Sequence, residues 1–548
     1  MSATPAILIV GSGPTGLIAA ITLRQNGIPI RPRTQEVLAS IGVLDDVMTI
    51  ATPPFMIGAH GIGKAIVEEI KWAEEADASL GTPYVHPISV HQSVFEDVLR
   101  KHLEKLGTKV ELSVELVGIE QSEGSNTVFA RLKGQDMEIT EEYEYIIAAD
   151  GARGTTRRML GVSFLGNTEE GDKMFVANVE CTDIDRTHWH RWGVFGVGVF
   201  FLKPVEPAPM FQIQAMGAEL PNPLPQDDEG IQKMFNHISK SNDIKLKNAT
   251  CISEWRANIR MVDRFSVGRV FLVGESAHCH SPAGGQGANT GILDAANISW
   301  KLALVHKRLS SPSLLQTYED ERMPVVAEML NLTSDLHRLA FARMPPSTLE
   351  ARKRDGVPGD PMWRPRQGLQ LGVNCRWSPI VFEGRETQEE AKKIESAKAK
   401  VSPYGVAGDK LRAGDRAPDA SFLVDTATGV QTTLFNAIAG LNKHYILVFV
   451  GRTSVDLDTS ISALDKYRRA GLASTILLFP AGSHAPADVP GTRSFVDSKG
   501  HAYAGFEVDE TSRLYALVRP DGMIGAFATD VEQLRRFLAG FASGVETA

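Results

Sequence analysis

The first residues of the chain form a pattern that few folds can accommodate. Residues 6–10 are a continuous apolar run, typical of a strand buried on both faces of a parallel sheet. The sequence G-S-G-P-T-G follows at once and places Gly11, Gly13 and Gly16 at the spacing that turns a strand into a helix. The N-terminus of such a helix presents free backbone N–H groups to an anion such as a pyrophosphate. The pattern predicts an α/β dinucleotide-binding unit, with a structural turn that binds nothing as the alternative.

Two later strands also end in small or acidic residues. The strand predicted at residues 145–149 runs into Asp150 and Gly151, and the strand at 268–274 runs into Glu275. A glycine-rich stretch then precedes a long helix that is predicted to begin near Ala288. Its glycines are Gly284, Gly285 and Gly287. Two glycine-rich helix N-termini in one chain indicate one large cofactor that is held at both ends.

Length and composition limit the classes of protein. At 548 residues the chain is too long for a single core, so two to four domains are expected. A net charge of −9 without a basic run argues against nucleic acid as a partner. No apolar stretch approaches the ~18 residues of a membrane span, and the N-terminus has no signal-peptide pattern. The widely spaced cysteines favour a reducing, cytoplasmic setting without disulfides; they are Cys181, Cys251, Cys279 and Cys375.

The three strand-end segments together resemble the signatures of the FAD-dependent aromatic-ring hydroxylases. These are the single-component flavoprotein monooxygenases typified by para-hydroxybenzoate hydroxylase and phenol hydroxylase. The third segment, GRVFLVGESAHCHSPAGGQGANTGILDAANISWKLAL, is long and specific, and residues 317–330 are similar to the helix that follows it in that family. The resemblance covers roughly residues 5–380. It implies a Rossmann-type FAD-binding domain with an antiparallel β-sheet substrate domain.

The resemblance also implies which residues hold FAD. Gln92 would lie near the ribityl chain and phosphates, Leu116 and Val117 near the adenine, and Pro282 at the isoalloxazine ring, where it is the one residue assigned to catalysis. Glu275 stands where the family has an aspartate. Its carboxylate can still form a hydrogen bond with the ribityl chain, but the side chain is one methylene longer, so the geometry of that contact differs. The implied cofactor-binding residues are Gly11, Gly13, Pro14, Thr15, Gly16, Gln92, Val117, Asp150, Gly151, Gly274, Glu275, Gly285, Gln286, Gly287, Ala288 and Asn289.

The implied chemistry belongs mainly to the cofactor. In this family NAD(P)H, as NADPH or NADH, reduces the FAD, dioxygen forms a flavin C4a-hydroperoxide, and one oxygen atom passes to an aromatic ring. We therefore expect a small phenolic or polyketide-type substrate of secondary metabolism. Epoxidation or a Baeyer–Villiger-type insertion on the same fold is the enzymatic alternative. An inactive, flavin-poor paralogue is the non-enzymatic alternative.

Residues 174–216 alternate β-branched and aromatic runs with glycine and proline, which predicts an antiparallel sheet. In the family this sheet covers the ring-binding pocket. The candidate pocket residues, each of which could equally be ordinary sheet core, are Trp192, Phe195, Phe201, Phe211 and Gln212. His188 and His190 have no third ligand nearby in sequence, so no metal site is predicted. His278 and His280 are interpreted as structural, and no base that deprotonates a phenol can be identified.

The pattern changes after residue 405. An apolar strand at 445–451, a second at 474–480, a hairpin turned at 520–522 and a last helix at 531–541 resemble the thioredoxin-like domain of phenol hydroxylases. Gly451 and Arg452 occupy the start of the CxxC position, so a redox role is excluded. A structural role or a homodimer interface is expected. The predicted domains are 1–165 and 256–345 (FAD-binding), 166–255 (substrate sheet), 346–411 (linker and helical segment) and 412–548 (thioredoxin-like).

One segment departs from the family pattern. A dinucleotide-binding unit needs a second strand whose last residue is an acid that binds the ribose. Here an apolar strand begins at Ile28 and is interrupted before Pro32. Glu36 stands about 20 residues after the glycines, where the acid is expected. We reject it because it follows Pro32, which begins a helix that resembles one lying well after strand two in the family.

On the order of twenty residues of the family pattern are therefore missing between Ile30 and Pro32. Either the coding sequence as assembled omits a segment, or the deletion is real and removes the adenosine anchor of FAD. Sequencing the transcript separates the two hypotheses, because an intact reading frame without an omitted segment rules out the first.

Overall fold

The structure, a computed structural model of the 548-residue chain, describes residues 7–25, 32–40, 42–51, 56–71, 81–90, 92–135, 137–281, 285–341, 347, 350, 366–386, 402–405, 409–438, 443–452, 457–483, 485–486 and 489–547. The strand predicted to begin at Ile28 lies outside these residues. So do Pro282 and Gly284.

The strands are, in chain order, β1 (Ile7–Val10), β2 (Met56–His60), β3 (Ile66–Ile70), β4 (Glu115–Glu120), β5 (Val128–Lys133), β6 (Glu138–Tyr143), β7 (Tyr145–Ala148), β8 (Phe164–Glu180), β9 (His188–Val194), β10 (Gly198–Pro204), β11 (Met210–Met216), β12 (Lys247–Val262), β13 (Ser266–Val267), β14 (Val270–Leu272), β15 (His278–Cys279), β16 (Phe382–Glu383), β17 (Leu423–Asp425), β18 (Gln431–Thr432), β19 (His444–Phe449), β20 (Ala473–Pro480), β21 (Thr492–Asp497), β22 (Leu514–Val518) and β23 (Ile524–Ala528).

The α-helices are α1 (Pro14–Gln25), α2 (Pro32–Ser40), α3 (Leu44–Met48), α4 (Gln92–Lys105), α5 (Thr156–Met159), α6 (Asp228–Ser239), α7 (Gly287–His306), α8 (Thr317–Ala340), α9 (Leu434–Ala437), α10 (Leu457–Arg469), α11 (His501–Gly505), α12 (Val531–Phe541) and α13 (Ser543–Thr547). Short 3-10 helices span Gly274–Ser276, Pro312–Gln316 and Arg366–Leu369. No helix in the described part of the chain is both long and apolar enough to span a bilayer.

The predicted dinucleotide-binding unit is built on a four-stranded sheet with the order β1-β7-β14-β13. Strands β1, β7 and β14 run parallel, and every residue of β7 and β14 is buried, as their apolar sequences require. Strand β1 is only half-buried along its length. Among the described residues β1 is the outermost strand of this sheet, since none of them pairs with its other side. This is the position at which the sequence predicted a missing strand.

A three-stranded antiparallel sheet, β4-β5-β6, accompanies this unit, and α1 packs against both α4 and α7. The N-terminus of α7 follows the third strand-end segment, as predicted, and its 20 residues are almost all buried. Its buried polar residues, among them Asp294 and Lys301, are paired inside the protein. Helix α8 follows and covers residues 317–340.

An eight-stranded sheet has the order β15-β12-β8-β11-β10-β9-β2-β3. It contains the antiparallel strands predicted at 174–216, and it also takes in β2 and β3, which the sequence analysis assigned to the FAD-binding part. Because successive side chains point to opposite faces, the sheet has two distinct apolar surfaces. The outer face packs on α6 through a core that includes Phe175, Phe200 and Phe235. The inner face carries the cluster Ile57, Met174, Trp189, Val199, Phe201 and Met216.

The C-terminal sheet has the order β16-β23-β22-β19-β20-β21-β17-β18. Strands β19, β20 and β21 are parallel, whereas β22 and β23 form an antiparallel hairpin. Both apolar strands, the hairpin and the last helix lie where the sequence predicted them. Asp530 caps α12 by accepting a hydrogen bond from the Gln533 N–H (2.8 Å). The likeness to thioredoxin itself remains a prediction.

Charged side chains join the C-terminal sheet to the FAD-binding part through a buried cluster. Arg519 donates to both carboxylate oxygens of Glu321 (2.8 Å each). Lys301 donates to Glu321 Oε2 (2.9 Å), and Arg519 also pairs with Asp521 (2.6 Å). The side chains of Arg519 and Glu321 are each 1% exposed. The ion-pair network lies beside an apolar core to which both parts of the chain contribute, with Leu304 from one part and Leu538 from the other in the same cluster.

Candidate functional site

Three parallel strands end at one edge of the four-stranded sheet. Hydrogen bonds hold the ends level, since Ala149 N–H donates to Val10 O (2.7 Å) and Val273 N–H donates to Ala148 O (3.0 Å). The turns that follow begin with Gly11, Asp150 and Gly274. The carboxyl ends of parallel strands are where open α/β sheets bind ligands. We call this the strand-end edge.

The three glycines of the first turn differ in what they permit. Gly11 has a φ of +108°, and an added Cβ would lie 2.2 Å from the carbonyl oxygen of Ala149. A Cβ on Gly16 would lie 2.1 Å from the oxygen of Gly11, so both positions require glycine for packing. Around Gly13 nothing lies within 4 Å of an added Cβ. Its glycine leaves open space beside the backbone, as a closely approaching pyrophosphate requires.

Replacing Gly13 with aspartate should therefore weaken FAD binding at least tenfold (~1.4 kcal/mol), because a carboxylate beside a pyrophosphate is repelled. The same change should leave the thermal midpoint of the ligand-free protein almost unchanged. Flavin fluorescence titration measures the first effect and calorimetry the second. Gly540→Asp is the matched control, since Gly540 also has free space and lies in α12. A Gly13→Asp protein that binds FAD as tightly as the Gly540→Asp control would contradict this assignment.

Helices α1 and α7 approach closely behind the strand-end edge. An added Cβ on Gly274 would lie 2.7 Å from Thr15 Oγ1, and one on Gly291 would lie 2.6 Å from the same atom. The Thr15 side chain thus fills the space between the two helices, which brings both of their N-termini to one edge. Thr15 was predicted to bind the cofactor and Gly291 was not singled out. The sequence did contain a signal for Gly291, because a glycine inside a long, buried helix usually has a packing or functional reason.

Asp150 holds the turn after β7. Its Oδ2 accepts hydrogen bonds from the backbone N–H (2.9 Å) and the hydroxyl (2.8 Å) of Thr156, which fixes the start of α5. Its Oδ1 is buried and has no hydrogen-bond partner among the described residues. Gly151 beside it has a φ of +77° with free space around an added Cβ. An orphaned acceptor next to open space is what a bound ribose or cosubstrate hydroxyl would satisfy.

The turn before α7 contains small residues, of which two are exposed. Gly285 and Ala288 are exposed and Gly287 is half-buried, whereas Gln286 and Asn289 point inward. Gln286 donates to Gly368 O (2.8 Å), and Asn289 accepts from Thr34 Oγ1 (3.0 Å). Gln286 and Asn289 therefore hold the turn in place, while Gly285 and Ala288 lie on its exposed side.

A buried ionic group supports the third strand end. Asp294 on α7 accepts from the Gly274 N–H (3.2 Å) and from Arg322 (2.7 Å), and it is hydrogen-bonded to His278 (2.8 Å). Burial alone would raise the pKa of Asp294, but Arg322 and His278 hold it below its usual value. His280 lies against Gly287, and burial lowers its pKa to about 4. The structure thus places both histidines in supporting positions, as the sequence analysis interpreted them.

The remaining predicted cofactor residues lie in accessible positions. Glu275 and Gln92 are exposed, and Gln92 donates to Glu96 Oε1 (2.8 Å) at the start of α4. Val117 lies in an irregularity of the β4–β5 ladder, since the register passes from Leu116 directly to Gly118. A bulged residue has backbone groups that are not used by the sheet. Val117 is therefore suited to bind an adenine through its backbone.

Glu36 does not act as the missing ribose acid. It lies in α2, is buried, and accepts from Arg33 (3.0 Å) and from Arg416 of the C-terminal part (2.7 Å). Burial raises its pKa more strongly than the two arginines lower it. The described residues therefore fit FAD at the pyrophosphate turn, at the Asp150 turn and at the N-terminus of α7. They offer no ribose acid beside β1.

The five predicted substrate residues do not share one face of the sheet. Phe201 belongs to the inner-face cluster, and Phe195 packs against it. Gln212 alternates with the outer-face residues Phe211 and Ile213, so it also points inward. Trp192 and Phe211 lie on the outer face against α6. The structure corrects the prediction for these two residues, because they form ordinary core.

The inner face is turned toward the FAD-binding part. Phe341, which follows α8, packs on the inner-face cluster, and His337 of α8 is hydrogen-bonded to Asp172 of β8 (2.9 Å). Ser281, next to the predicted catalytic Pro282, is hydrogen-bonded to the other nitrogen of His337 (2.9 Å). This connected set of buried polar groups links the flavin-signature turn to the sheet.

Sequence reasoning missed Lys203. It lies on the inner face in β10, directly opposite Gln212 in the ladder, and donates to Ser89 Oγ (2.7 Å). Burial lowers its pKa to about 8. The signal was present in the sequence GVFFLKP, where a lysine stands in an otherwise apolar strand at the same parity as Phe201.

His188 and His190 lie on the outer side of the sheet. His188 is hydrogen-bonded to Asp185 (2.9 Å) and Glu69 (3.0 Å), and His190 to His60 (2.9 Å). Burial lowers the pKa of His60 to about 4 and also lowers that of His190. No group of three or more potential ligands in the described residues could hold a metal ion.

Comparison with known proteins agrees with this site. A family model described as FAD binding domain matches residues 29–333. That match begins beside the interrupted segment, so the glycine turn, which precedes it in the chain, lies outside the match. A flavin-dependent monooxygenase of Mycobacteroides abscessus is 32% identical over 560 residues, with 97% of this chain and 99% of the relative covered. Pentachlorophenol 4-monooxygenase of Sphingobium chlorophenolicum is 30% identical, with 62% of this chain and 65% of the relative covered.

Solved structures show the same fold. The flavin-dependent monooxygenase PieE in complex with FAD and substrate has a TM-score of 0.76 at 20% identity, with both chains fully covered. A ternary complex of aklavinone-11 hydroxylase with FAD and aklavinone has a TM-score of 0.74 at 20% identity, with 98% of this chain and 99% of that chain covered. The family model takes in more than half of the chain and the relative from Mycobacteroides abscessus spans nearly all of it. The chain therefore belongs to the family of FAD-dependent monooxygenases that share this FAD-binding domain.

Proposed function

We propose that this monooxygenase uses NAD(P)H and dioxygen to hydroxylate a phenolic or polyketide-type aromatic substrate. The observation that carries the proposal is the position of the inner face, an aromatic and apolar surface turned toward the turn before α7. The relatives named for pentachlorophenol and 6-methylpretetramide, together with aklavinone-11 hydroxylase, support an aromatic substrate. Epoxidation and Baeyer–Villiger-type insertion have no comparable structural support.

When bound, FAD supplies the transfer of electrons from NAD(P)H and the activation of dioxygen. The protein's part is to bind, orient and exclude water. Gly11, Gly13 and the N-terminus of α1 provide backbone donors for the pyrophosphate. Gly285, Gly287 and Ala288 would hold the ring system, and N–H groups at the N-terminus of α7 would stabilise negative charge there. Phe201 and Trp189 provide the apolar wall that keeps water from the reacting ring.

The same proposal includes roles for the residues at the second strand end and at the flavin ring. Asp150 and Gly151 serve FAD and the nicotinamide cosubstrate, and Pro282 contributes at the flavin ring. The four cysteines, all unpaired, support a reducing cytoplasmic setting. The family resemblance supports a homodimer through the C-terminal part. It also supports the division into domains given above, with residues 56–70 assigned to the substrate sheet instead of the FAD-binding part.

A coupled assay tests the proposal. The protein is supplied with FAD and NADPH or NADH, and a panel of phenols and phenolic polyketides is screened for cosubstrate oxidation and for products heavier by one oxygen atom. Ring hydroxylation that depends on substrate, flavin and dioxygen is the expected result. Epoxide or lactone products would favour the enzymatic alternative. FAD binding without substrate-stimulated NAD(P)H oxidation would favour an inactive ligand-binding protein.

A further inference from the structure

The inner face carries a row of polar side chains beside its aromatic cluster. In register, Lys203 of β10 is opposite Gln212 of β11, which is opposite Asn178 of β8. These three residues point to the same side as Phe201, because they have the parity of the inner-face residues. Gln214 donates to Gln212 (3.1 Å), which orients the amide next to the lysine. One amine and two amides thus stand at the margin of an aromatic surface.

Lys203 is the charged member of this row, and no carboxylate of the described residues forms an ion pair with it. Its ammonium donates to Ser89 Oγ (2.7 Å) and lies 5.6 Å from the centre of the Trp189 ring. Burial is the sole cause of its lowered pKa, so no carboxylate in the described part of the chain compensates the charge. Taking an ammonium out of water without a partner is unfavourable, and such groups are retained where they bind something.

The position of Lys203 relative to the flavin-signature turn follows from three contacts. Ser89, its hydrogen-bond partner, belongs to the segment 81–90, in which His86 O accepts from Gln35 of α2 (2.7 Å). The preceding residue of α2, Thr34, donates to Asn289 of α7 (3.0 Å). Segment 81–90 therefore lies between Lys203 and the N-terminus of α7. The ammonium itself lies beside the Trp189 ring, at the margin of the inner-face aromatic cluster.

We propose that Lys203 binds the ionised oxygen of a phenolic substrate and holds it as the phenolate. The inference deepens the proposed function and rests on it. At neutral pH the phenol O–H bond breaks, its proton passes to solvent, and the ammonium keeps its own protons and pairs with the oxygen. A phenolate is more electron-rich than a phenol, so the ring is activated for attack by an electrophilic oxygen. Charge-assisted hydrogen bonds are about twice as strong as neutral ones, which favours the ionised ligand.

Equilibrium binding to the FAD-reconstituted protein tests the role of Lys203. The probe is 4-nitrophenol, whose phenolate absorbs in the visible range, and 4-nitroanisole is the uncharged comparison. Wild type should bind the phenolate, and Lys203→Met should bind it more weakly by on the order of tenfold. Both proteins should bind 4-nitroanisole equally, which shows that the pocket is intact. Lys247→Met, an exposed lysine on β12 of the same sheet, should behave as wild type.

The outcomes separate this inference from the proposed function. Equal phenolate affinity of wild type and Lys203→Met overturns the inference, and so does a wild-type protein that takes up only neutral 4-nitrophenol or neither probe. None of these results depends on turnover. Substrate-stimulated NADPH oxidation with ring hydroxylation would still support the proposed function in each of those cases. A thermal midpoint of Lys203→Met at or above that of wild type excludes misfolding as the cause of weaker binding.

Discussion

Glu321→Ala should destabilise the folded chain by about 3–5 kcal/mol, because it leaves the buried Lys301 without its acid and Arg519 with only one of its two carboxylates. Glu321 accepts from Arg519, from Lys301 (2.9 Å) and from Ser378 (2.6 Å). The Lys301 side chain is fully buried and that of Arg519 is 1% exposed. Asp521 still pairs with Arg519, so removal of the Glu321 carboxylate leaves one uncompensated positive charge where water cannot reach it. Denaturant unfolding of wild type and variant measures the difference.

Asp335→Ala is the matched control for Glu321→Ala. Asp335 lies on the same helix, its side chain is 58% exposed, and it pairs with Arg338 on the surface. Such surface pairs contribute about 0–1 kcal/mol. If Glu321→Ala and Asp335→Ala shift the unfolding midpoint equally, the buried cluster does not hold the C-terminal part in place.

The pH dependence of stability follows from the same group. Burial alone would raise the pKa of Glu321, but Arg519 and Lys301 depress it well below its ordinary value of 4.5. A carboxyl group whose pKa is lower in the folded state stabilises the fold at any pH above its unfolded-state pKa. That stabilisation is lost as the pH falls through the folded-state pKa. Wild type should therefore lose stability below about pH 4.5. Glu321→Ala should lose less over the same range.

Lys203→Met should make the ligand-free protein more stable by about 2–3 kcal/mol at neutral pH. The pKa of Lys203 is lowered from 10.5 to about 8 by burial. A lysine whose pKa is lower in the folded state than in the unfolded state destabilises the fold. The destabilisation is complete below the folded-state pKa, and it declines as the pH rises toward the unfolded-state pKa. The gain from Lys203→Met should therefore shrink between about pH 8 and 10.5. A residue whose removal stabilises the protein but weakens ligand binding is typical of a functional site.

Thermal unfolding from neutral to alkaline pH measures this effect, with Lys247→Met as the control. Lys247 is exposed, and surface substitutions of this kind change stability by about 0.5 kcal/mol at most. A Lys203→Met protein that is clearly less stable than wild type at pH 7 would contradict this explanation, because the lysine would then stabilise the fold instead of destabilising it.

Local patterns predicted the parts of the fold that depend on local sequence. The strand, glycine turn and helix at 7–25, the long buried helix α7 and the last helix α12 each carry their own periodicity and end signals. Gly11 and Gly16 are required by contacts that the turn itself creates. The family signatures then identified the ligand that those turns hold.

Long-range pairing accounts for what local patterns could not predict. Strands β2 and β3 join the substrate sheet from a distant part of the chain, and no local signal indicates that pairing. Alternation in β9 and β11 shows that the strands have two faces, but it does not show which face is turned to the cofactor. Trp192 and Phe211 were therefore grouped with Phe201, and Lys203 was overlooked. The partners of Glu321 are likewise separated from it in sequence by up to 198 residues.

The side of β1 that no described strand pairs with is where the family pattern places strand two and its ribose acid. A charge-assisted contact to the ribose contributes about 2–3 kcal/mol, and the described residues offer no acid for it. The relative from Mycobacteroides abscessus aligns over 560 positions with 97% of the 548 residues, so it has residues where this chain has gaps. We expect the chain to be purified with little flavin and to take up added FAD at the strand-end edge.

Titration of the purified 548-residue chain with FAD, followed by flavin fluorescence and absorbance, tests the central claim most directly. We predict saturable binding of one FAD per chain, weakened by Gly13→Asp and unaffected by Gly540→Asp. Insertion of the strand-two segment of a relative at the interruption before Pro32 should strengthen that binding by about 2–3 kcal/mol. The absence of any saturable FAD binding by the folded chain would contradict the claim that the strand-end edge holds the cofactor.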